Sequence, residues 1–360
     1  MKVCINLRDQ DFANTKSMGI YNVAIGLTRA LANNRNITKL IILANSSLQE
    51  ALSELLPNQK VEVIGANQAP PRGLSRFWWD QWGIVQAVNK LHVDWLILPK
   101  GFPPFIRWPN AESRVCSYIH DNIFQFYADM GWPGIPTFEK HYFSRCYRRA
   151  IKKADLVVTN SQFTLDEVMA AGRTMPASKV GIGFEQPELR QEGVRKGILI
   201  FTSSHPHKLT GQSILWLERW KEENHNLVVI YGVGSMPDDV EWPEREDWIK
   251  MPRVSDQEMQ ELWQKVEVLV YFSAYEGFGM PPCEAIKNGV IPLASDIPPH
   301  RETLAKECLF SNDDYETFAA RLNGALKELR LPACELDSWP VVGDRLVNAL
   351  ERASAKPENQ

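Results

Sequence analysis

Two carboxylates and two glycines in one short stretch carry the clearest chemistry in this chain. Glu276-Gly277-Phe278-Gly279-Met280-Pro281-Pro282-Cys283-Glu284 encloses seven residues between its acids. Gly277 and Gly279 let backbone amides approach a ligand closely. Amides at a helix start stabilise negative charge. Carboxylates repel phosphate but accept hydrogen bonds from the hydroxyls of a ribose or a sugar. Amides for phosphate plus acids for hydroxyls describe a nucleotide-sugar site. A helix start with a helpful acid is the plainer reading, and Glu284 alone supports no more than that.

Three further positions carry charge or protons. Lys208 lies in a second strand-end loop, between Ser203 and Gly211. There an ammonium can meet a diphosphate as a compact point charge; in isolation it reads as a solvated surface lysine. His205 and His207 adjoin it, too close for metal-ligand geometry and with no third ligand nearby. His120-Asp121 closes a strand in the first half, where an imidazole can bond a substrate hydroxyl or move a proton; a structural histidine is the alternative. Gly19 enters a helix whose free N–H groups suit an anion or a plain turn.

Strand and helix patterns alternate along the chain, which predicts an α/β architecture with mostly parallel sheets. The acidic stretch falls between strand Val268–Ser273 and a short helix opened by Pro281 and Pro282, where a missing N–H costs nothing. Gly289 ends that helix and Val290–Ala294 is the next strand. Earlier strands are predicted at Lys2–Leu7, Leu40–Ala44, Val61–Ile64, Val93–Leu98, Arg114–Ile119, Asp155–Asn160, Lys179–Ile182 and Gly197–Ser203. A helix from Arg76 to Leu91 places Trp78, Trp82 and Val85 on one face, a core stripe by spacing. Phe124–Pro136 reads as an aromatic loop, and Tyr142, Arg145, Arg148, Arg149, Lys152 and Lys153 as the basic face of the helix after it. With 360 residues two domains are expected. Their linker is placed within Gly183–Gly197, giving domains over 1–188 and 189–335 and a closing segment over 336–360.

A formal charge of −4 argues against a dedicated nucleic-acid binder. No stretch approaches the roughly 20 apolar residues that span a bilayer. The start Met1–Leu7 reads as a strand, not a signal peptide. Six scattered cysteines without a C-x-x-C pair suggest reduced, buried thiols in a cytoplasmic protein.

The stretch from Glu276 to Ala285, followed by Gly289-Val290-Ile291-Pro292 and Ser295-Asp296, closely resembles the donor-site signature of family 4 retaining glycosyltransferases. Arg76–Trp82 resembles an Arg-x-x-Trp-Glu-Gln helix of mannosyltransferase-like members, with Asp80 at the Glu position. Ser117–Asp121, the segment Ala154-Asp155 to Ser161-Gln162-Phe163, and Ser338-Trp339 are similar to further family segments. The resemblance implies the GT-B fold, two Rossmann-like domains flanking a cleft, with an acceptor-side first domain, a donor-binding second domain and a final helix crossing back. It implies that Glu284 binds the ribose and that Glu276 faces the donor sugar. Amides of Gly277, Phe278, Gly279 and Met280 would hold the sugar or diphosphate. Lys208, aided by amides near Gly19, would bind the diphosphate. Arg253, followed by Val254, is placed with the donor-binding residues as a further source of charge, outside what the resemblance implies. His120 would contact the sugar near the reaction centre.

No metal or cofactor is expected beyond the nucleotide-diphospho-sugar itself. The acceptor would be a saccharide or a lipid-linked sugar, reached in the cytoplasm or peripherally at the inner membrane face. The family often places arginine before this lysine, whereas here His207 stands there. That departure keeps a non-catalytic nucleotide-binding subunit open as an alternative. An inverting GT-B transferase or epimerase-like relative is another.

Overall fold

The apolar, β-branched runs form strands whose side chains are buried on both faces, as a sheet covered by helices requires. The computed structural model describes residues 1–10, 18–55, 57–133, 137–185, 196–225, 227–328 and 336–355. The chain divides into two units. Unit 1 takes the described residues of Met1–Phe124, Ile135–Gly183 and Asp337–Gln360; unit 2 takes those of Gln125–Gly134 and Phe184–Leu336.

In unit 1 the strands are β1 (Lys2–Asn6), β2 (Lys39–Leu43), β3 (Val61–Ile64), β4 (Trp95–Leu98), β5 (Arg114–Ile119), β6 (Leu156–Thr159) and β7 (Ala177–Lys179). They form one parallel sheet in the order β3-β2-β1-β4-β5-β6-β7. Helix Trp339–Ser354 packs on helix Met18–Asn33. Gly26 and Gly183 leave room there for Trp339, since a Cβ on either would stand 2.1 Å and 2.6 Å from it.

Unit 2 holds β8 (Gly197–Thr202), β9 (Val229–Gly234), β10 (Trp248–Met251), β11 (Val268–Tyr271), β12 (Ile291–Ser295) and β13 (Leu309–Phe310). Their order is β10-β9-β8-β11-β12-β13. Pairing is parallel, with Val268 opposite Ile198 and also opposite Ile291. One face of this sheet packs on Leu217, Trp220, Phe318 and Leu322, and the other on Leu262, Trp263, Ala285 and Ile286. Connections from β8 and from β11 run to opposite ends of the sheet, so the order reverses between these two neighbours.

Two expectations are corrected. The region predicted as a loop from Phe124 contains helix Ile123–Asp129; its aromatic residues obscure a helical period. The predicted stripe of Trp78, Trp82 and Val85 is also wrong, because Trp78 is 58 % exposed. A π-turn over Trp79–Gly83 interrupts the α-helix between Gly73–Trp78 and Ile84–Leu91. One extra residue per turn rotates what precedes it away from the face that follows. Most of the linker placed within Gly183–Gly197 lies outside the described residues, as do residues 11–17 and 356–360.

Candidate active site

The strand order reverses between β8 and β11, and the carboxyl ends of strands at such a reversal are the usual ligand site of an open α/β sheet. Two loops meet there, Ser203–Lys208 after β8 and Phe272–Gly279 after β11. Their backbones are stitched together: the Ala274 amide donates to the His207 carbonyl at 2.7 Å and the Ser273 hydroxyl donates to it at 3.2 Å. The Ser273 amide in turn donates to Ser295 Oγ at the end of β12, at 2.8 Å.

Lys208 and Glu276 are brought together by these loops. Lys208 Nζ donates to Glu276 Oε1 at 2.6 Å and to the Tyr271 hydroxyl at 2.7 Å, and that hydroxyl donates to the same Oε1 at 2.8 Å. Burial pushes the Glu276 carboxyl up, but the Lys208 ammonium in contact with it outweighs this and lowers it to about 2. Side-chain exposures of 23 % and 13 % leave both groups reachable from solvent.

Gly279 precedes helix Met280–Lys287 in the left-handed region at φ 90°, and no side chain caps the helix. Pro281 and Pro282 bring no N–H, so the donors of this end are concentrated in the turn and Met280. Glu284 lies on the same helix, half-buried. Burial raises its carboxyl and Lys287 lowers it. Its side chain makes no ion pair or hydrogen bond with a described residue, so it is open to hydroxyl donors.

Residues 19–182 match the family model described as Glycosyltransferase Family 4, and residues 228–333 match Glycosyl transferases group 1. Together the matches cover three quarters of the chain. The chain belongs to the group 1 glycosyltransferases. Among curated relatives it is 26% identical to O-antigen chain mannosyltransferase RfbU of Salmonella typhimurium (strain LT2), over 49% of this chain and 52% of that one. It is 29% identical to O-antigen chain mannosyltransferase B of Escherichia coli, over 31% of this chain and 29% of that one. The chain thus spans about half, or less, of the length of these relatives. Its fold is similar to that of Anabaena Alr3699/HepE in complex with UDP-glucose, at 14% identity and TM-score 0.61 over 98% of this chain and 95% of that one. The lipopolysaccharide outer core galactosyltransferase WaaB, in its apo form, aligns at 14% identity and TM-score 0.57 over 98% and 99%. The fold is GT-B.

The remaining predicted residues of this glycosyltransferase divide between the two units. Arg253 and Val254 follow β10, two strands from β8, and Arg253 is exposed. His120 and Gly19 belong to unit 1. His120 Nε2 donates to the Pro99 carbonyl at 2.6 Å. Burial lowers its pKa to about 4, partly offset by that bond. The ring is therefore neutral at pH 7 with Nδ1 as the acceptor. Gly19 lies in the first turn of its helix, half-buried.

His207 does not replace the arginine of related proteins as a cation. It is buried, the Tyr127 hydroxyl donates to its Nδ1 at 2.6 Å, and burial, followed by the neighbouring Lys208 charge, lowers it to about 3.

Two groups were not visible as site residues in the sequence. His300 lies buried beside Gly279. In unit 1, Asp9 pairs with Lys100 at 3.0 Å and with Arg76 at 3.5 Å, while Arg76 also faces Asp80 at 3.6 Å. Tyr142 donates its hydroxyl to Asp80 at 2.8 Å. Burial and then the Asp9 charge raise Asp80 to about 7, against the pull of Arg76. The match of Arg76–Trp82 to a family helix was the signal available. Arg8, Trp78, Trp79 and Trp82 line a groove beside this cluster. Among the described residues, no three His, Cys, Asp or Glu side chains converge as metal ligands would, and no helix is long and apolar enough to cross a membrane.

Proposed function

We propose that this glycosyltransferase moves a hexose-type sugar from a nucleotide-diphospho-sugar to a saccharide or lipid-linked acceptor, with retention of configuration, in the assembly of surface polysaccharide or glycolipid. The observation that carries the proposal is the Lys208–Glu276–Tyr271 cluster beside the Gly277–Met280 turn at the switch point of a nucleotide-binding sheet. The O-antigen relatives and the UDP-glucose complex of a protein with the same fold support it.

In the proposed reaction the bond from sugar C1 to the diphosphate oxygen breaks while the acceptor oxygen bonds C1 from the same face. The acceptor proton passes to the leaving diphosphate. Lys208 and the turn amides stabilise the charge growing on that leaving group. Glu276 and Glu284 accept from sugar and ribose hydroxyls, and His120 Nδ1 accepts from a sugar hydroxyl. Because protein cations and amides take the diphosphate charge, turnover proceeds without a divalent metal. The exposed basic face of Arg145, Arg148, Lys152 and Lys153 provides peripheral contact with anionic lipid.

A panel of UDP-, GDP- and dTDP-sugars with saccharide and lipid-linked acceptors tests the proposal. One donor should shift the melting temperature and release its nucleoside diphosphate in an acceptor-dependent way, unaffected by EDTA. An inverted product anomer would overturn the retaining step. Nucleotide binding without sugar release would favour the non-catalytic subunit, the reading to which the neutral His207 lends weight.

A further inference from the structure

His300 is fully buried, and its Nε2 has no hydrogen-bond partner among the described residues. Its Nδ1 lies 2.7 Å from the Ser295 carbonyl. A carbonyl can only accept, so Nδ1 carries the proton and the neutral ring presents a bare lone pair at Nε2. That edge lies against the Gly277–Met280 turn: a Cβ on Gly279 would stand 2.5 Å from both Nε2 and Cδ2. A buried acceptor left unpaired costs about 1–3 kcal/mol. A charge on this ring would act directly beneath the amides of the turn.

The groups around the ring hold it neutral without the ligand. Burial disfavours the imidazolium most, and Lys208, from the loop after β8, also opposes it. Glu276 from the turn and Asp296 after β12 favour it, and the Tyr271 ring packs 5.8 Å away. Arg301, on the same short helix, is committed to Asp296 at 2.6 Å. If the turn binds a diphosphate, as proposed above, several negative charges arrive over the ring, and His207 has no positive charge to offer them. We propose that His300 takes a proton from solvent onto Nε2 when a nucleoside diphosphate occupies the Gly277–Met280 turn, and so supplies the second positive charge of the site.

Calorimetric titration of the full chain with UDP and with GDP at pH 7.5, in buffers of different ionisation enthalpy, reads the protons bound. The wild type should take up about one proton more than His300→Asn. Asparagine keeps a donor toward Ser295 and deletes Nε2. The variant should also bind about tenfold or more weakly, as for loss of a charge-assisted contact. Imidazole 15N spectra of the wild type alone should show the His300 Nε2 signal moving from the lone-pair to the protonated range on saturation with the same nucleotide, which keeps the test open if the variant misfolds. Nucleotide binding with an unchanged Nε2 signal, or with equal proton uptake in the variant, overturns the role of His300. Absence of any nucleotide binding by the wild type overturns the diphosphate reading itself.

Discussion

The two sheets reverse their strand order at equivalent places, β1/β4 in unit 1 and β8/β11 in unit 2, and both places collect charge. The outcome is opposite. In unit 2 one acid faces one ammonium at 2.6 Å and stays ionised down to about pH 2. In unit 1 two acids share cations at 3.0–3.6 Å, and Asp80 is raised to about 7. Position in the fold therefore does not set protonation. What sets it is whether each buried acid has its own cation at contact distance. Unit 2 holds an ion pair that keeps its acid charged, while unit 1 holds a carboxyl raised into the neutral range.

The largest effect expected from breaking this comparison is at Lys208. Lys208→Ala should cut nucleoside-diphosphate release with the true donor and acceptor by about a hundredfold or more. The equivalent removal in unit 1, Lys100→Ala, should cost far less, because Asp9 retains Arg76. Equal losses in the two assays would erase the distinction. Next comes Gly279→Ala, which combines a left-handed backbone with a 2.5 Å clash on His300. Denaturant titration should show a loss of about 2–3 kcal/mol confined to unit 2.

The pH dependence sharpens the contrast through its sign. Asp80 has a folded value raised above its ordinary 3.8, so its contribution to stability is full below about 4 and is lost as pH rises through about 7. Glu276 is depressed, so its contribution is full above about 4.5 and is lost as pH falls toward about 2. Asp80→Asn should flatten the difference in stability between pH 5 and pH 8, a difference on the order of a few kcal/mol in the wild type. Persistence of that slope in the variant would assign it elsewhere. The smallest expected effect on stability is Trp78→Ala, within about 0.5 kcal/mol because the ring is exposed. The same variant should raise KM for a saccharide acceptor if the tryptophan groove stacks on sugar.

Much of unit 2 was legible because its chemistry is local. Glu276, the two glycines and Glu284 lie within nine consecutive residues, and an apolar strand on either side marks the turn. Lys208 was legible as a strand-end cation, and the 68-residue gap to Glu276 is closed by the parallel pairing of β8 with β11. His300 was not legible, because only the absence of a Cβ on Gly279 reveals what the ring touches. The Asp9–Lys100–Arg76–Asp80 cluster gathers residues from separate loops and one helix, with no shared spacing. The Trp78 stripe failed for a different reason. A 3.6-residue period was applied across a π-turn, which no composition cue announced.

Unit 1 is discontinuous, and this has a consequence for synthesis. Helix Trp339–Ser354, which seats Trp339 against Gly26 and Gly183, follows the whole of Phe184–Leu336 in the chain. At ordinary translation speeds of about 5–20 residues per second, the first sheet waits roughly 8–30 s for the helix that covers it. During that interval the second sheet can finish first, so the order of folding on the ribosome runs against the order of the sequence. An early stop before Trp339 would leave the groove beside Gly26 unfilled even with every strand already made.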